Sequence, residues 1–283
     1  MDGRRALLAL AAAMITGCPA LANEGQKVRF DGPERGPATL HGVLYRPAGA
    51  TKPTPAIIAL HGCGGSTRSD GRPLSRTTDW TERWLAAGYA VLWPDSFGSR
   101  GLGPQCETRK RTVFPHQRAQ DAQAAAKWLT AQPGIDAQRI ALVGWSNGGS
   151  TVLHAIRTGG PAPIPDFRTA IAFYPGCRAP LERALREEGA PWAARLPLTI
   201  LIGGADDWTP PDSCREIGKG TSVRYIEYEG AFHGFDSPNS PVRVRRNLAF
   251  TADGSGTARQ GTDPKARAAA IGEVTAILAA AFK

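Results

Sequence analysis

One stretch of the chain, residues 139–157, constrains the fold more than any other. It reads RIALVGWSNGGSTVLHAIR, in which the apolar run 140–143 has the length of a buried parallel strand and the run 151–157 is compatible with a helix. Between these runs lies the Gly-x-Ser-x-Gly pattern of a nucleophile elbow, a sharp turn that exposes a serine on strained backbone. The stretch therefore predicts that Ser146 is a catalytic nucleophile between a strand and a helix.

Two later loops offer the other groups that a serine nucleophile needs. Hydrolysis of an ester requires a base that takes and returns the serine proton, and an acid that orients this base. Asp206 follows the predicted strand 198–202, and His233 follows the strand 223–228 in a loop that contains two glycines. We predict that Ser146, Asp206 and His233 form a catalytic triad.

Other residues compete for the roles of acid and base. Asp207 is adjacent to Asp206 and stays an alternative acid, although the pattern Asp-x-x-x-Pro after a strand favours Asp206. Asp95 is a weaker alternative that is more typical of a turn. The other four histidines lack the position of a base. His41, His61 and His154 are expected to be structural, and His116, in the long loop after residue 94, could line the pocket.

The oxyanion that forms during acyl transfer needs backbone N–H donors. Asn147 directly follows the predicted nucleophile, so its N–H is one candidate. The second candidate is the N–H of Cys63, which directly follows His61 and Gly62 at the end of a predicted strand. Glycines at positions 64 and 65 allow the backbone to approach a substrate closely.

Five residues next to these positions are candidates for a substrate pocket. Phe97, Trp145, Tyr174 and Trp208 could form an apolar pocket for an acyl or alcohol group, and packing in the core is the alternative for each. Arg100 could anchor a substrate carboxylate, with a salt bridge inside the loop as the alternative.

Apolar runs of strand length alternate with helical patterns along most of the chain, which predicts an α/β fold with a mostly parallel sheet and helices on both faces. The first two strands are expected to be antiparallel edge strands. Helices are expected from about Asp79, as N-cap, to Ala87, over 117–132, and after Asp263-Pro264. Two polar segments, after the strand 170–174 and over 237–262, are predicted to be an insertion and a flexible stretch.

The N-terminus has the pattern of a secretory signal peptide, residues 1–22, which would leave one domain over 23–283. A basic start is followed by an uncharged apolar run and an Ala-x-Ala cleavage site. A lipoprotein signal with Cys18 as the lipidated residue is a less favoured alternative. No later segment is long and apolar enough for a transmembrane helix. We therefore expect a periplasmic or secreted protein.

An exported chain with four further cysteines, an even number, is expected to form two disulfides. Three pairings are possible, and chain order favours Cys63–Cys106 and Cys177–Cys214. The cysteines lack the spacing of a metal site, so no metal is predicted. The net charge is +9, or +8 without the signal peptide, but the basic residues are dispersed and no stacking aromatics accompany them, so nucleic-acid binding is not expected.

Five motifs spread over the mature chain resemble those of the dienelactone hydrolase family, a branch of the α/β-hydrolases. They are LHGCGG at 60–65, PDSFG at 94–98, GWSNGG at 144–149, GGADDWTP at 203–210 and FHGF at 232–235. The resemblance implies the α/β-hydrolase fold and a hydrolase of small-molecule esters or lactones that works through an acyl-enzyme without a cofactor. It says nothing about the oligomeric state.

One departure from the family bears on the substrate. The namesake enzymes use a cysteine nucleophile with a carboxylate near the oxyanion strand, whereas Ser146 and His61-Gly62 stand here. This favours a general serine esterase over a dienelactone hydrolase in the strict sense. A prolyl-oligopeptidase-like peptidase or an acyltransferase with the same triad is the alternative enzyme, and a binding protein with a vestigial triad is the alternative outside catalysis.

Overall fold

Eight strands form a mixed central sheet in the computed structural model, which describes residues 25–283. They lie in the order β1-β2-β4-β3-β5-β6-β7-β8, with antiparallel pairing at β1–β2 and β2–β4 and parallel pairing elsewhere. Their bounds are β1 Gln26–Asp31, β2 Thr39–Tyr45, β3 Thr54–Leu60, β4 Ala90–Asp95, β5 Ile135–Trp145, β6 Thr169–Phe173, β7 Leu198–Gly203 and β8 Val223–Tyr228. The predicted signal peptide lies outside the described residues.

Helices cover both faces of this sheet, as the sequence predicts. On one face, α2 packs against α3, and on the other, Arg267 of α6 binds Asp79 of α1 at 2.6 Å. The helices are α1 Ser75–Ala86, α2 Pro115–Thr130, α3 Asn147–Ala155, α4 Arg178–Glu188, α5 Asp212–Ile217 and α6 Pro264–Ala281, and α6 is capped by the Asp263 side chain. Within residues 25–283, no helix is both long and apolar enough to cross a bilayer.

The central strands are predominantly apolar where they are buried, because both faces of a parallel sheet are covered. All residues of β6 and β7, and the last six of β5, are buried. The same runs of apolar residues identify these strands in the sequence. Their carboxyl ends meet at one edge, where open α/β sheets bind ligands.

Helix α1 begins four residues before the predicted N-cap, so the expectation that Asp79 caps it is wrong. The buried residues of α1 recur at helical spacing from Thr77 onwards, so the first turn of the helix is already part of the buried face. Asp79 lies inside the helix and binds two arginines, Arg83 at 3.2 Å and Arg267 at 2.6 Å.

The predicted polar insertion after β6 contains helix α4, which the sequence pattern did not reveal. Few of its residues are buried and its sequence is rich in charged residues, so the segment resembles a polar loop although the helix is amphipathic. Pairs at i,i+4 spacing support it instead: Arg178 binds Glu182 at 2.7 Å and Arg183 binds Glu187 at 2.9 Å.

The prediction of a flexible stretch over 237–262 is also wrong, because this segment forms an ordered hairpin. Its strands are β9 Arg243–Arg245 and β10 Ala258–Gln260, which pair antiparallel. Leu248 and Ala258 are buried in a small cluster with Cys63, Cys106 and Trp208. The hairpin is therefore held against the loops that carry the predicted site.

Candidate active site

Ser146 lies on the strained backbone that a nucleophile elbow requires. Its φ of 53° and ψ of −115° belong to a region that side-chain-bearing residues rarely adopt. Two glycines make the turn possible, since a Cβ on Gly148 would lie 2.0 Å from the Leu60 carbonyl oxygen and one on Gly144 would lie 2.3 Å from that of Gly148. Helix α3 starts at the next residue, so its N-terminal N–H groups lie beside the serine.

The predicted acid and base form a buried pair. Asp206 Oδ2 lies 2.8 Å from His233 Nδ1, and both side chains are almost fully buried. Oδ1 of Asp206 accepts hydrogen bonds from the backbone N–H groups of Trp208 and Thr209, both at 2.9 Å. Asp207 is directed elsewhere: its carboxylate accepts from the backbone and side chain of Arg259, at 2.8 and 2.9 Å.

His233 is held by contacts of both its ring and its backbone. Its ring lies 4.5 Å from that of Tyr174 and 4.6 Å from that of Trp208. Its carbonyl accepts a hydrogen bond from Gly261 at 3.1 Å, which ties the base loop to the hairpin. Over residues 25–283, Ser146 forms no side-chain hydrogen bond with His233. In the apo state such catalytic bonds are often long.

The loop after β3 approaches the elbow closely. A Cβ on Gly62 would lie 3.4 Å from the Trp145 carbonyl oxygen and 3.6 Å from the Ser146 Cβ. Cys63 is next in the chain and lines the same cleft as Ser146 and Asn147. The N–H groups of Cys63 and Asn147 donate no hydrogen bond to another residue that the structure describes.

Two disulfides brace this region, and both are those that chain order favours. Cys63 is bonded to Cys106, and Cys177 to Cys214. The first ties the loop after β3 to the long loop before α2, and the second ties the segment after β6 to α5. Two disulfides are typical of proteins outside the reducing cytoplasm.

Of the predicted pocket aromatics, only Trp208 lines the cleft beside Ser146. The other three are nearly fully buried, so core packing is what the structure shows for them. Trp145 stacks between Trp93 and Phe173, Tyr174 packs on His233, and Phe97 packs edge-on against His61.

For Arg100 the structure favours the alternative, a salt bridge, over a substrate anchor, because its guanidinium already binds a carboxylate of the protein. It makes two hydrogen bonds to Asp121, at 2.8 and 2.9 Å, and one to the Ser96 carbonyl at 2.7 Å. Asp121 is fully buried, so Arg100 secures the long loop to α2.

The cleft at Ser146 has a volume of about 520 Å³ and is rich in arginine. Four arginines and one glutamate line it: Arg111, Arg178, Arg183, Arg186 and Glu182. Arg178 and Arg186 pair with Glu182, and Arg183 pairs with Glu187.

Arg111 differs from the other arginines of the cleft. It bonds the Gln105 carbonyl through Nε at 2.9 Å and stacks over Phe250 at 4.4 Å, and no carboxylate of the described chain lies within 4.0 Å of it. Burial lowers the pKa of Arg111 to about 10. Arg111 is therefore a cation of the cleft that no carboxylate of the described residues neutralises.

Two histidines also line the cleft, and one was expected to be purely structural. The rings of His116 and His154 lie 6.0 Å apart, edge to face. Burial, followed by the charges of His116, Arg183 and Arg157, lowers the pKa of His154 to about 3. Burial also lowers the pKa of His116. Among residues 25–283, no cluster of three or more potential ligands is arranged to hold a metal.

Sequence reasoning missed two buried ionisable residues behind the site. Asp236 is fully buried and accepts hydrogen bonds from Trp80 and Trp145 at 2.8 Å and from the Tyr174 hydroxyl at 2.6 Å. It follows the FHGF motif directly, which is the signal that could have found it. Arg118 is the second: it has no exposed surface and bonds to both the His61 and Asn147 loops.

The sheet order, the strand-to-helix elbow and the carboxyl-end loops together define the α/β-hydrolase fold. Solved structures agree: a Klebsiella pneumoniae subsp. pneumoniae MGH 78578 protein assigned as a dienelactone hydrolase is similar over 90% of this chain and 99% of its own, with a TM-score of 0.64 and 16% identity. An esterase of Thermogutta terrifontis, solved with propionate bound, is similar over 78% of this chain and 88% of its own, with a TM-score of 0.53 and 21% identity.

The dienelactone hydrolase family model matches residues 40–282, so the chain belongs to that family. The family and its hydrolase neighbours support a function of the serine-hydrolase type. Among curated proteins, a probable dipeptidyl-aminopeptidase B of Ajellomyces capsulatus (strain H88) is 29% identical over 133 residues, 44% of this chain. The match spans only 14% of that relative's length.

Proposed function

We propose that the protein is a serine hydrolase that cleaves carboxylic esters or lactones with Ser146, Asp206 and His233. The observation that carries this proposal is the buried Asp206–His233 pair at 2.8 Å beside a serine on strained elbow backbone. Neither feature contributes to folding in an obvious way, since strained backbone and buried ionisable pairs are costly.

The chemistry follows from the roles that these groups can take. Asp206 faces Nδ1 of His233 and so fixes the tautomer in which Nε2 is free to take the proton of Ser146. The serine oxygen attacks the ester carbonyl, and the N–H groups of Cys63 and Asn147 stabilise the oxyanion. Return of the proton from His233 releases the alcohol, and water then cleaves the acyl-enzyme by the same route.

The cleft supports a substrate that carries an anionic group. Its lining has more positive than negative charge, and no carboxylate of the described residues neutralises Arg111. A carboxylate near the scissile bond would pair with this guanidinium in a partly desolvated site. We therefore include acidic esters and lactones among the candidate substrates.

A peptidase is the second candidate, favoured by the similarity to a dipeptidyl-aminopeptidase B over part of the chain. Turnover of short acyl esters, peptide amides and esters with an added acceptor alcohol, measured side by side, separates an esterase from a peptidase and from an acyltransferase. A binding protein would show affinity without an acyl-enzyme burst.

For location, we propose export to the periplasm or the medium. The signal-peptide pattern of residues 1–22 and the two disulfides both support it. Signal-peptidase cleavage after Ala22, read from the N-terminus of the protein isolated from its host, tests this.

The central experiment is labelling with a fluorophosphonate probe, combined with ester and lactone turnover by the wild type and Ser146→Ala. We expect Ser146→Ala to lose both the label and the turnover while it keeps its melting temperature within about 2 °C, because one half-buried hydroxyl without a side-chain hydrogen bond to His233 contributes little to folding. Label that persists in Ser146→Ala would refute the proposal.

A further inference from the structure

A buried arginine joins the two loops from which the oxyanion donors come. Arg118, on α2, has no exposed surface. One terminal amino group donates to the side-chain oxygen of Asn147, and the other donates to the His61 carbonyl at 2.8 Å. The guanidinium also stacks over Phe97 at 4.9 Å. Arg118 therefore touches the residue after the nucleophile and the residue two before Cys63.

This arrangement is costly for folding. Every hydrogen bond of the Arg118 side chain goes to an uncharged group, and Nε has no acceptor in the part of the chain that the structure describes. Burial lowers the pKa of Arg118 to about 10, and the charges of Asp121 and Asp95 offset part of this effect. A buried cation without a carboxylate in contact is destabilising compared with an apolar residue of the same shape.

We propose that Arg118 is a positioning residue that fixes the spacing between the N–H groups of Cys63 and Asn147. The inference rests on the proposed function, because it assumes that these groups bind an oxyanion at Ser146. A guanidinium suits this task, since its planar fork offers two donors at a fixed separation, one for each loop. A lysine at position 118 keeps the charge but offers a single point of attachment.

The geometry also explains why the bond goes to the side chain of Asn147. The N–H that would bind the oxyanion belongs to the same residue, so holding the side chain fixes the orientation of that peptide. The His61 carbonyl belongs to the peptide directly before the one that carries the Cys63 N–H, and Gly62 between them packs against the elbow. Without Arg118, the glycine-containing loop would be free to move relative to α3.

The test compares Arg118→Lys, Arg118→Met, Asn147→Ala and the double variant Arg118→Met/Asn147→Ala. Because the oxyanion forms only in the transition state, we expect kcat to fall about 10- to 100-fold in Arg118→Lys while KM stays within about threefold. The rate of fluorophosphonate labelling should fall by the same factor. If Arg118 acts through Asn147, the double variant loses no more activity than Arg118→Met alone.

Arg195→Lys is the matched control. Arg195 is also a largely buried arginine that bonds a backbone carbonyl, that of Ala155 at 2.6 Å, but its carboxylate partner is Asp166 and it does not line the cleft. The Arg195→Lys variant should lose stability and keep its kcat. Should the Arg118 variants fold poorly, Arg118→Ala assayed with added guanidinium provides a second measurement, and recovery of kcat with rising guanidinium concentration supports the proposal.

Outcomes against the inference differ from those against the proposed function. The inference alone would be overturned if Arg118→Lys kept the wild-type kcat per labelled serine. It would also be overturned if Arg118→Lys and Arg195→Lys lost kcat equally. Additive losses in the double variant would also overturn it, because they separate Arg118 from Asn147. Activity that survives Ser146→Ala overturns the proposed function and, with it, the role of Arg118.

Discussion

Asp206 and His233 lie 2.8 Å apart, whereas the neighbouring carboxylate of Asp207 turns away and binds Arg259 at 2.9 Å. Adjacent residues of one loop therefore have different partners. The loop is held in this orientation because Asp206 also accepts hydrogen bonds from the N–H groups of Trp208 and Thr209. Asp207 instead secures the hairpin, of which Arg259 is part.

The first prediction compares Asp206→Asn with Asp207→Asn. The asparagine at 206 removes the charge that orients His233, so we expect kcat to fall by roughly 10²- to 10⁴-fold. Asp207→Asn should keep kcat within about fivefold, because Asp207 contacts Arg259 and not the base. Steady-state turnover of a chromogenic ester gives both values, and equal losses in the two variants would contradict the assignment of the acid.

The two disulfides give a second prediction. Their half-cystines are separated by 43 and 37 residues, so the chain-entropy model gives each about 4 kcal/mol of stability. Cys63 is also a predicted oxyanion donor, whereas Cys177 and Cys214 are not. We expect Cys63→Ser/Cys106→Ser to lose kcat about 10-fold more than Cys177→Ser/Cys214→Ser, with similar losses of melting temperature.

The measurement must be made on folded protein, well below the lower of the two melting temperatures. Titration with the fluorophosphonate probe counts the active serines, so that kcat is expressed per folded site. If both double variants keep wild-type kcat, the Cys63 loop is held by its other contacts, such as the hydrogen bond from Gln105 N–H to the Cys63 carbonyl at 2.7 Å.

The fold could be predicted from the sequence because parallel strands have a strong local signal. The run 140–143 is apolar throughout and the run 198–202 is apolar except for Thr199, and both lie inside buried strands. The positions of Ser146, Asp206 and His233 follow from the same signal, since each lies in the loop or turn that follows a strand. Predicting that the loops meet requires only the parallel order of the sheet.

What the sequence did not reveal depends on contacts between distant segments. Arg118 and Asp236 lie in a helix and a loop whose local patterns do not differ from those of structural residues, and their partners are remote in the chain. The pocket aromatics could not be told from core residues for a related reason: Trp145 precedes Ser146, but successive residues of a strand point to opposite faces, and Trp145 is buried in the core.

The lowered pKa of His154 leads to a prediction about stability and pH. Its pKa is about 3 in the folded protein and 6.5 in the unfolded chain, so the unfolded state binds more protons between these values. The free energy of unfolding should therefore fall as the pH drops from 6.5 towards 3, with a contribution from His154 on the order of a few kcal/mol. Chemical denaturation at pH 7 and pH 4 measures it.

His154→Gln should reduce this dependence, because glutamine does not titrate. The charges of His116, Arg183 and Arg157 act on the same site, so His116→Gln should reduce it less. An unchanged difference between pH 7 and pH 4 in His154→Gln would show that other groups, such as the buried His61, carry the acid sensitivity.

The last prediction concerns Arg111 and the charge of the substrate. Arg111 lines a cleft in which Arg178 is already paired with Glu182 at 2.7 Å. For an ester with a free carboxylate, Arg111→Gln should raise KM about 10-fold, the effect of losing one charge-assisted hydrogen bond. For the corresponding neutral methyl ester, KM should not change. Arg178→Gln is the matched control and should raise KM less than threefold for either ester, because it removes a cation that Glu182 already neutralises. Equal effects of Arg111→Gln on both esters would mean that Arg111 shapes the cleft and does not bind a carboxylate.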